Sequence, residues 1–254
     1  MGSHLLSKSS FIRGVQCEKH LYLYKYHYNE MDQLSEMQKA IFKRGTDVGK
    51  LAQQLYSGGI DASPKTQFEY DKAVKLTKEL LEKKQKVIYE ASFKYSDVLA
   101  VADIVVNEKS GLKVYEVKSS TSISETYIRD AALQYWVISN CGYKLKDFSI
   151  IYINNQYARK GKLDLDELFI TESVLKLILP LQKWVEENVT RFKKVLARRS
   201  IPVIDIGEHC YDPYTCGFYE YCRKHIPDNS IFDLSGFHLN KKYDLYRSGI
   251  IKLE

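Results

Sequence analysis

The chain has 254 residues, 44% of them hydrophobic, enough for one substantial core with at most a small satellite lobe. Its 38 Lys and Arg against 32 Asp and Glu leave a net charge of +6, a moderate excess that suits a polyanionic partner and excludes a histone-like basic tail. No apolar run approaches the roughly 18 residues of a membrane span and no secretory leader pattern opens the chain, so no membrane association and a cytoplasmic location are expected. Met1 to His4 are set aside as an appended remnant.

In chain order, Ser7 is placed to cap a helix running through residues 11–26, with Cys17 near its middle and a tyrosine-rich face after it. A second helix is expected over about 35–56, with Ala40, Ile41, Val48, Leu51 and Leu55 at helical spacing, interrupted at Gly45 and ended by Ser57, Gly58 and Gly59. A third, over about 67–86, buries Phe68, Val74, Leu80 and Leu81 and turns lysines to solvent. Three strands follow, at about 87–95, 99–107 and 112–119, close enough in sequence to form an antiparallel meander. Then come a helix at about 124–140 stopped by Gly142, an all-apolar interior strand at 148–154, and a long helix over about 172–199 that Pro180 should kink or divide. This order predicts an α/β fold with a central mixed sheet flanked by helices. Beyond Cys222 the pattern weakens. The expected division is residues 5–225 as the main domain and 226–254 as an extension, continued in a longer protein with a further domain or partner past Glu254.

The three-strand stretch from Val87 to Ser120 carries charges where a sheet should be apolar: Glu90, Asp103, Glu116 and Lys118. Alternation puts Glu116 and Lys118 on one face with Val114, and Tyr115 and Val117 on the other. Asp103 lies among small and branched apolar residues, so a buried strand requires it to be paired, metal-bound or protonated. An acid on one strand and a Glu-x-Lys on the next is what a metal-dependent phosphodiesterase needs. Two carboxylates bind a hard cation such as Mg²⁺ or Mn²⁺, and the lysine positions water or stabilises a developing oxyanion. The plain structural alternative is a buried Asp103–Lys118 ion pair with Glu116 turned to solvent.

With these residues in this order, the chain resembles the PD-(D/E)XK nucleases, within them the RecB-like group that includes the nuclease domains of RecB and AddB and the CRISPR-associated exonucleases. The likeness runs over about residues 6–225 and includes LSKSSFIRGVQCEKHLYL and RGTDVGKLAQQLYSGGI. It implies a restriction-endonuclease-like core and a metal-dependent deoxyribonuclease, exonuclease rather than endonuclease, acting on DNA with single strands among the candidates. It further implies Asp103 and Glu116 as metal ligands, Lys118 assisting the attacking water, Gln134 orienting substrate or Lys118, and Glu90 in a supporting position. Two departures stand out: Gly49 replaces the histidine many relatives carry on the early helix, and Ile138 the tyrosine four residues after Gln134. A catalytically weak or inactive nucleic-acid-binding or scaffolding module of the same fold is the alternative function, and a redox sensor a third.

Five cysteines in a reducing compartment argue for metal or cluster ligation rather than disulfides. Cys210, Cys216 and Cys222 have five residues between neighbours, too wide for a two-residue zinc knuckle, and Cys17 is the candidate fourth ligand. The resemblance to AddB and CRISPR-associated nucleases implies a structural [4Fe-4S] cluster on Cys17, Cys210, Cys216 and Cys222, closing the fold by its ends. Zinc, with Cys17 or His209 as fourth ligand, and free thiols remain alternatives, and Cys141 reads as an ordinary thiol.

Overall fold

The computed structural model describes residues 5–66 and 69–253. Its contacts divide it into two units: residues 1–9 with 35–190, and residues 10–34 with 191–254.

The first unit is built on a seven-stranded mixed sheet. Its path is β2 (Ile60–Asp61), β3 (Val87–Tyr95), β4 (Val98–Glu108), β5 (Gly111–Val117), β6 (Leu145–Ile153) and β7 (Phe169–Ser173), with β1 (Leu6–Ser7) paired in parallel to β4. β3, β4 and β5 form the expected antiparallel meander. The β3–β4 hairpin turns on Ser96 and Asp97, both with positive φ, the handedness that two-residue hairpin turns demand. At the next turn Gly111 has φ +135° and its absent Cβ would stand 2.7 Å from the Lys144 carbonyl, so no side chain fits there. β5 and β6 run parallel, joined by the crossover helix α5 (Glu125–Asn140), which Ser124 caps through the Tyr127 amide.

Both faces of the sheet are covered, which explains its nearly continuous apolar strands. On one face Ile104, Val106 and Tyr115 pack with Ala52, Val48 and Leu51 of α3 (Glu36–Ala52) and with Tyr56. On the other lie buried residues of α5, among them Ala131, Ala132, Leu133 and Val137. Helix α4 (Tyr70–Glu82) packs along β3, where the Thr77 hydroxyl accepts the Ser92 amide at 2.9 Å.

Several elements differ from the sequence reading. α3 begins with a capping box between Ser35 and Gln38 and runs without interruption through Gly45, because the surrounding residues keep the helical ladder. The expected start of α4, including Phe68, lies outside the described residues. A short helix α6 (Leu165–Leu168) leads into edge strand β7, and the long helix expected over about 172–199 is instead the end of β7, helix α7 (Leu175–Ile178), a 3₁₀ turn at 179–181 and helix α8 (Gln182–Leu196). Pro180 sits in that turn, where its missing amide costs no helical bond, and β7 pairs antiparallel with β6 at the sheet edge.

In the second unit the helix expected over residues 11–26 is two: α1 (Lys8–Gln16) and α2 (Glu18–Tyr26), broken at Cys17, whose backbone is extended. α1 packs Phe11 edge-on against Phe192, and Gly14 lies so close to that ring that a Cβ would fall 2.9 Å from it. Leu23, Ile206, Cys210, Cys216, Phe218, Tyr219 and Tyr243 form the buried cluster, with α9 (Tyr219–Cys222) and α10 (Leu239–Arg247) around it. Residues 226–254 belong to this unit. No helix among the described residues is long and apolar enough to cross a membrane.

Candidate functional site

The register of the meander brings three acids into one row. β3 pairs with β4 through Tyr89 opposite Ile104 and Ala91 opposite Ala102, which leaves Glu90 facing Asp103. β4 pairs with β5 through Val105 opposite Val114 and Ile104 opposite Tyr115, so Asp103 faces Glu116. Like charges directly across a sheet repel, and such a row persists only where something offsets it. Glu90 also holds φ +52°, a left-handed backbone that costs a non-glycine residue about 1 kcal/mol.

The offset comes from two lysines. Lys118 Nζ lies 2.6 Å from Glu116 Oε1 and 2.8 Å from Asp130 Oδ2, and Lys8 Nζ lies 2.8 Å from the same Glu116 Oε1 and 3.9 Å from Asp130 Oδ2. Two ammoniums and two carboxylates thus alternate around a closed square. Gln134 completes it, its amide donating to Glu116 Oε2 at 2.8 Å. Glu116 is only 2% exposed and Gln134 fully buried. Asp103 Oδ2 accepts the Val117 amide at 2.6 Å. Lys118 also lies 5.0 Å from the centre of the Tyr127 ring.

Burial works against every charge in this group, and the neighbours decide the outcome. Burial disfavours ionised Glu116, but the ammoniums of Lys118 and Lys8 overcome it and hold the carboxyl well below its usual range. Burial likewise disfavours charged Lys118 and Lys8, and Asp130 and Glu116 reverse that, raising both. Asp103, by contrast, is pushed up by burial and then by the negative charge of Glu116. Glu90 is pushed up to about 8 by burial and then by Asp103.

The structure therefore brings Glu90, Asp103, Glu116, Lys118 and Gln134 together. It rejects the Asp103–Lys118 pair: Lys118 holds Glu116 and Asp130, and Glu116 is buried rather than solvent-facing. Gln134 bonds Glu116, not Lys118. Two members escaped the sequence reading. Asp130 carried a signal, because it lies one helical turn before Gln134 on the same face of α5. Lys8 carried none, being 108 positions from its partner.

The cysteines occupy the second unit. None of the five forms a disulfide. Burial pushes Cys210 up to about 11 and Cys216 up to about 12, and the neighbouring cysteines add to both: Cys17 and Cys222 act on Cys210, and Cys210, Cys17 and Cys222 act on Cys216. The four expected ligands are thus near enough to feel one another's charge. Burial also raises Cys17, opposed by the His20 and Lys19 amides, and raises Cys222, opposed by Lys19. Soft thiolate donors in an apolar cluster suit iron–sulfur or zinc in kind. The carboxylate row suits a hard divalent cation, since two oxygen ligands and water suffice. Among the described residues no group of three or more His, Cys, Asp or Glu side chains is arranged to hold a metal ion. At Gly49, where the resemblance expects a histidine, an added Cβ would meet nothing within 4 Å.

No family model matches the chain, and no curated protein matches it. Among solved structures it is similar to an alkaline exonuclease (LHK-Exo) from Laribacter hongkongensis, at 10% identity and a TM-score of 0.43 over 75% of this chain and 89% of that one. It is also similar to a protein designated SSO0001, at 10% identity and a TM-score of 0.35 over 75% of this chain and 78% of that one.

Proposed function

We propose that the chain is a RecB-like, divalent-metal-dependent DNA nuclease of the PD-(D/E)XK type, with Cys17, Cys210, Cys216 and Cys222 holding a structural [4Fe-4S] cluster. The observation that carries the reading is the convergence of Asp103 from β4, Glu116 and the following Lys118 from β5, and Gln134 from α5 on one buried spot. An acid row this costly to bury is what a phosphodiester-hydrolysing site requires and what a sheet otherwise avoids.

Asp103 and Glu116 would be the ligands of Mg²⁺ or Mn²⁺, which when bound supplies Lewis acidity against the negative phosphodiester. Lys118, fixed by Asp130 and Glu116, presents a charged donor to the attacking water or to the oxygen where charge develops. Gln134 fixes the plane of Glu116, and Glu90 stands opposite Asp103 in the acid row as a supporting residue. The net charge of +6 favours a polyanionic substrate.

The test is hydrolysis of end-labelled single- and double-stranded DNA in Mg²⁺ and Mn²⁺ by anaerobically prepared protein. Cleavage that is lost in Glu116→Ala and Lys118→Ala, in folded protein, supports the reading, and unchanged cleavage overturns it. A second reading, a nucleic-acid-binding module without efficient cleavage, is favoured by Gly49, which stands where the resemblance expects a metal-contacting histidine. Tight, salt-dependent DNA binding with no hydrolysis in Mn²⁺ would select it.

A further inference from the structure

Glu116 has no free oxygen. Oε2 accepts from Gln134, and Oε1 accepts from both Lys118 and Lys8, so a divalent cation that binds through Oε1 must displace an ammonium. The two lysines are not equivalent. Lys118 is 17% exposed, bonded to two carboxylates, and its amide continues the sheet by donating to the Ile151 carbonyl at 2.8 Å. Lys8 is 26% exposed and makes one close contact in the square, the other being 3.9 Å. Its backbone is pinned where α1 leaves β1, with buried Leu6 registered on Val98 and Ser7 on Leu99, so the four-carbon stem alone can carry the ammonium out.

Charge balance points the same way. With Lys8 in place, two ammoniums sit against Glu116 and Asp130, and among the described residues none lies within 4.0 Å of Asp103. With a divalent cation in place of Lys8, Lys118 and the cation together match Glu116, Asp130 and Asp103.

From this geometry we infer that Lys8 is a resident counter-ion of the metal site: it keeps the square of Glu116, Asp130 and Lys118 assembled while no divalent cation is bound, and it swings out when one binds. The inference rests on the nuclease reading above and deepens it. It predicts that metal entry is a cation exchange, and that Lys8, once released, is exposed at the mouth of the site.

Two measurements on the full chain, with Mn²⁺ alone and no DNA, test it. Mn²⁺ affinity is read from the free-ion electron paramagnetic resonance signal for the wild type, Lys8→Met and Lys8→Arg. Removing the competing charge should tighten Mn²⁺ binding about tenfold in Lys8→Met, while Lys8→Arg stays near the wild type. In the wild type, mass-spectrometric reading of reductive methylation should show Lys8 several-fold more reactive with Mn²⁺ than without, which decides the matter even if Lys8→Met fails to fold. Equal or weaker Mn²⁺ binding by folded Lys8→Met, or no gain in Lys8 labelling on Mn²⁺ binding, overturns the inference and leaves the nuclease reading standing. Failure of the wild type and Lys8→Met alike to bind Mn²⁺ overturns both.

Discussion

The acid row on the sheet and the cysteines of the second unit both bury ionisable groups, but they differ in where the compensating charge comes from. Around Glu116 the chain supplies its own cations, Lys8 and Lys118, and the carboxyl stays ionised without help. Around Cys210 and Cys216 burial dominates, and the thiols are driven toward the protonated form. The first cluster is therefore assembled by its own side chains, whereas the second would gain thiolate ligands only on binding a cationic centre. Loss of metal should cost the first cluster activity and the second cluster stability.

The largest effect that would break this contrast concerns Lys118. Lys118→Met should abolish DNA hydrolysis, by about 10³-fold or more, and should destabilise the fold by about 3 kcal/mol because Glu116 and Asp130 then share one ammonium. Cleavage assays and urea denaturation read the two losses separately. Asp130→Asn comes next: Lys118 keeps Glu116 but loses its anchor, and the cleavage rate should fall about 10- to 100-fold with substrate binding little changed.

Cluster removal sharpens the other half of the comparison. Anaerobically prepared protein should show the broad visible absorbance and iron content of an iron–sulfur centre. Stripping it with chelator and oxidant, or substituting Cys216→Ser, should lower Tm by several degrees. A Tm unmoved by either treatment would remove the cysteines from any structural role.

A smaller, pH-dependent effect belongs to His20, which packs edge-on against Phe218 in the second unit. Burial lowers its pKa from 6.5 to about 4. Below pH 6.5 the unfolded chain binds a proton that the folded chain resists, so stability is full above pH 6.5 and falls as pH drops toward 4, by about 3 kcal/mol if the shift is complete. His20→Gln should flatten that acid limb in thermal melts taken across the window. The smallest effect is at Gly49, where the helix has room for a side chain: Gly49→Ala should raise stability by about 0.5 to 1 kcal/mol.

Much of this was readable in the chain itself, and what was not has identifiable causes. Period-two alternation and turn residues from Val87 to Val117 predict the meander, and misplaced acids within it mark the site, because a charge in a buried strand is a local signal. Ser35 and Ser124 likewise stand at the expected starts of α3 and α5, and the structure shows both capping. Contacts made over long sequence distances leave no such trace: Lys8 meets Glu116 through the β1–β4 pairing, which only the folded sheet creates. The end of β7, Glu172 and Ser173, falls within the expected helix, because this edge strand is exposed but for Phe169 and gives no period-two signal beside the stronger helical pattern of α8. The break at Cys17 is equally silent, since no proline or glycine marks it.

The central claim, that the Asp103–Glu116–Lys118 site hydrolyses DNA with a divalent cation, is tested most directly by Glu116→Gln, which keeps the shape of the side chain and removes its charge. Measured on anaerobically prepared protein with end-labelled DNA in Mn²⁺, the wild type should cleave and Glu116→Gln should retain its fold and not cleave. Equal cleavage by the two proteins, or none by the wild type with its metal and cysteine sites filled, would contradict the account.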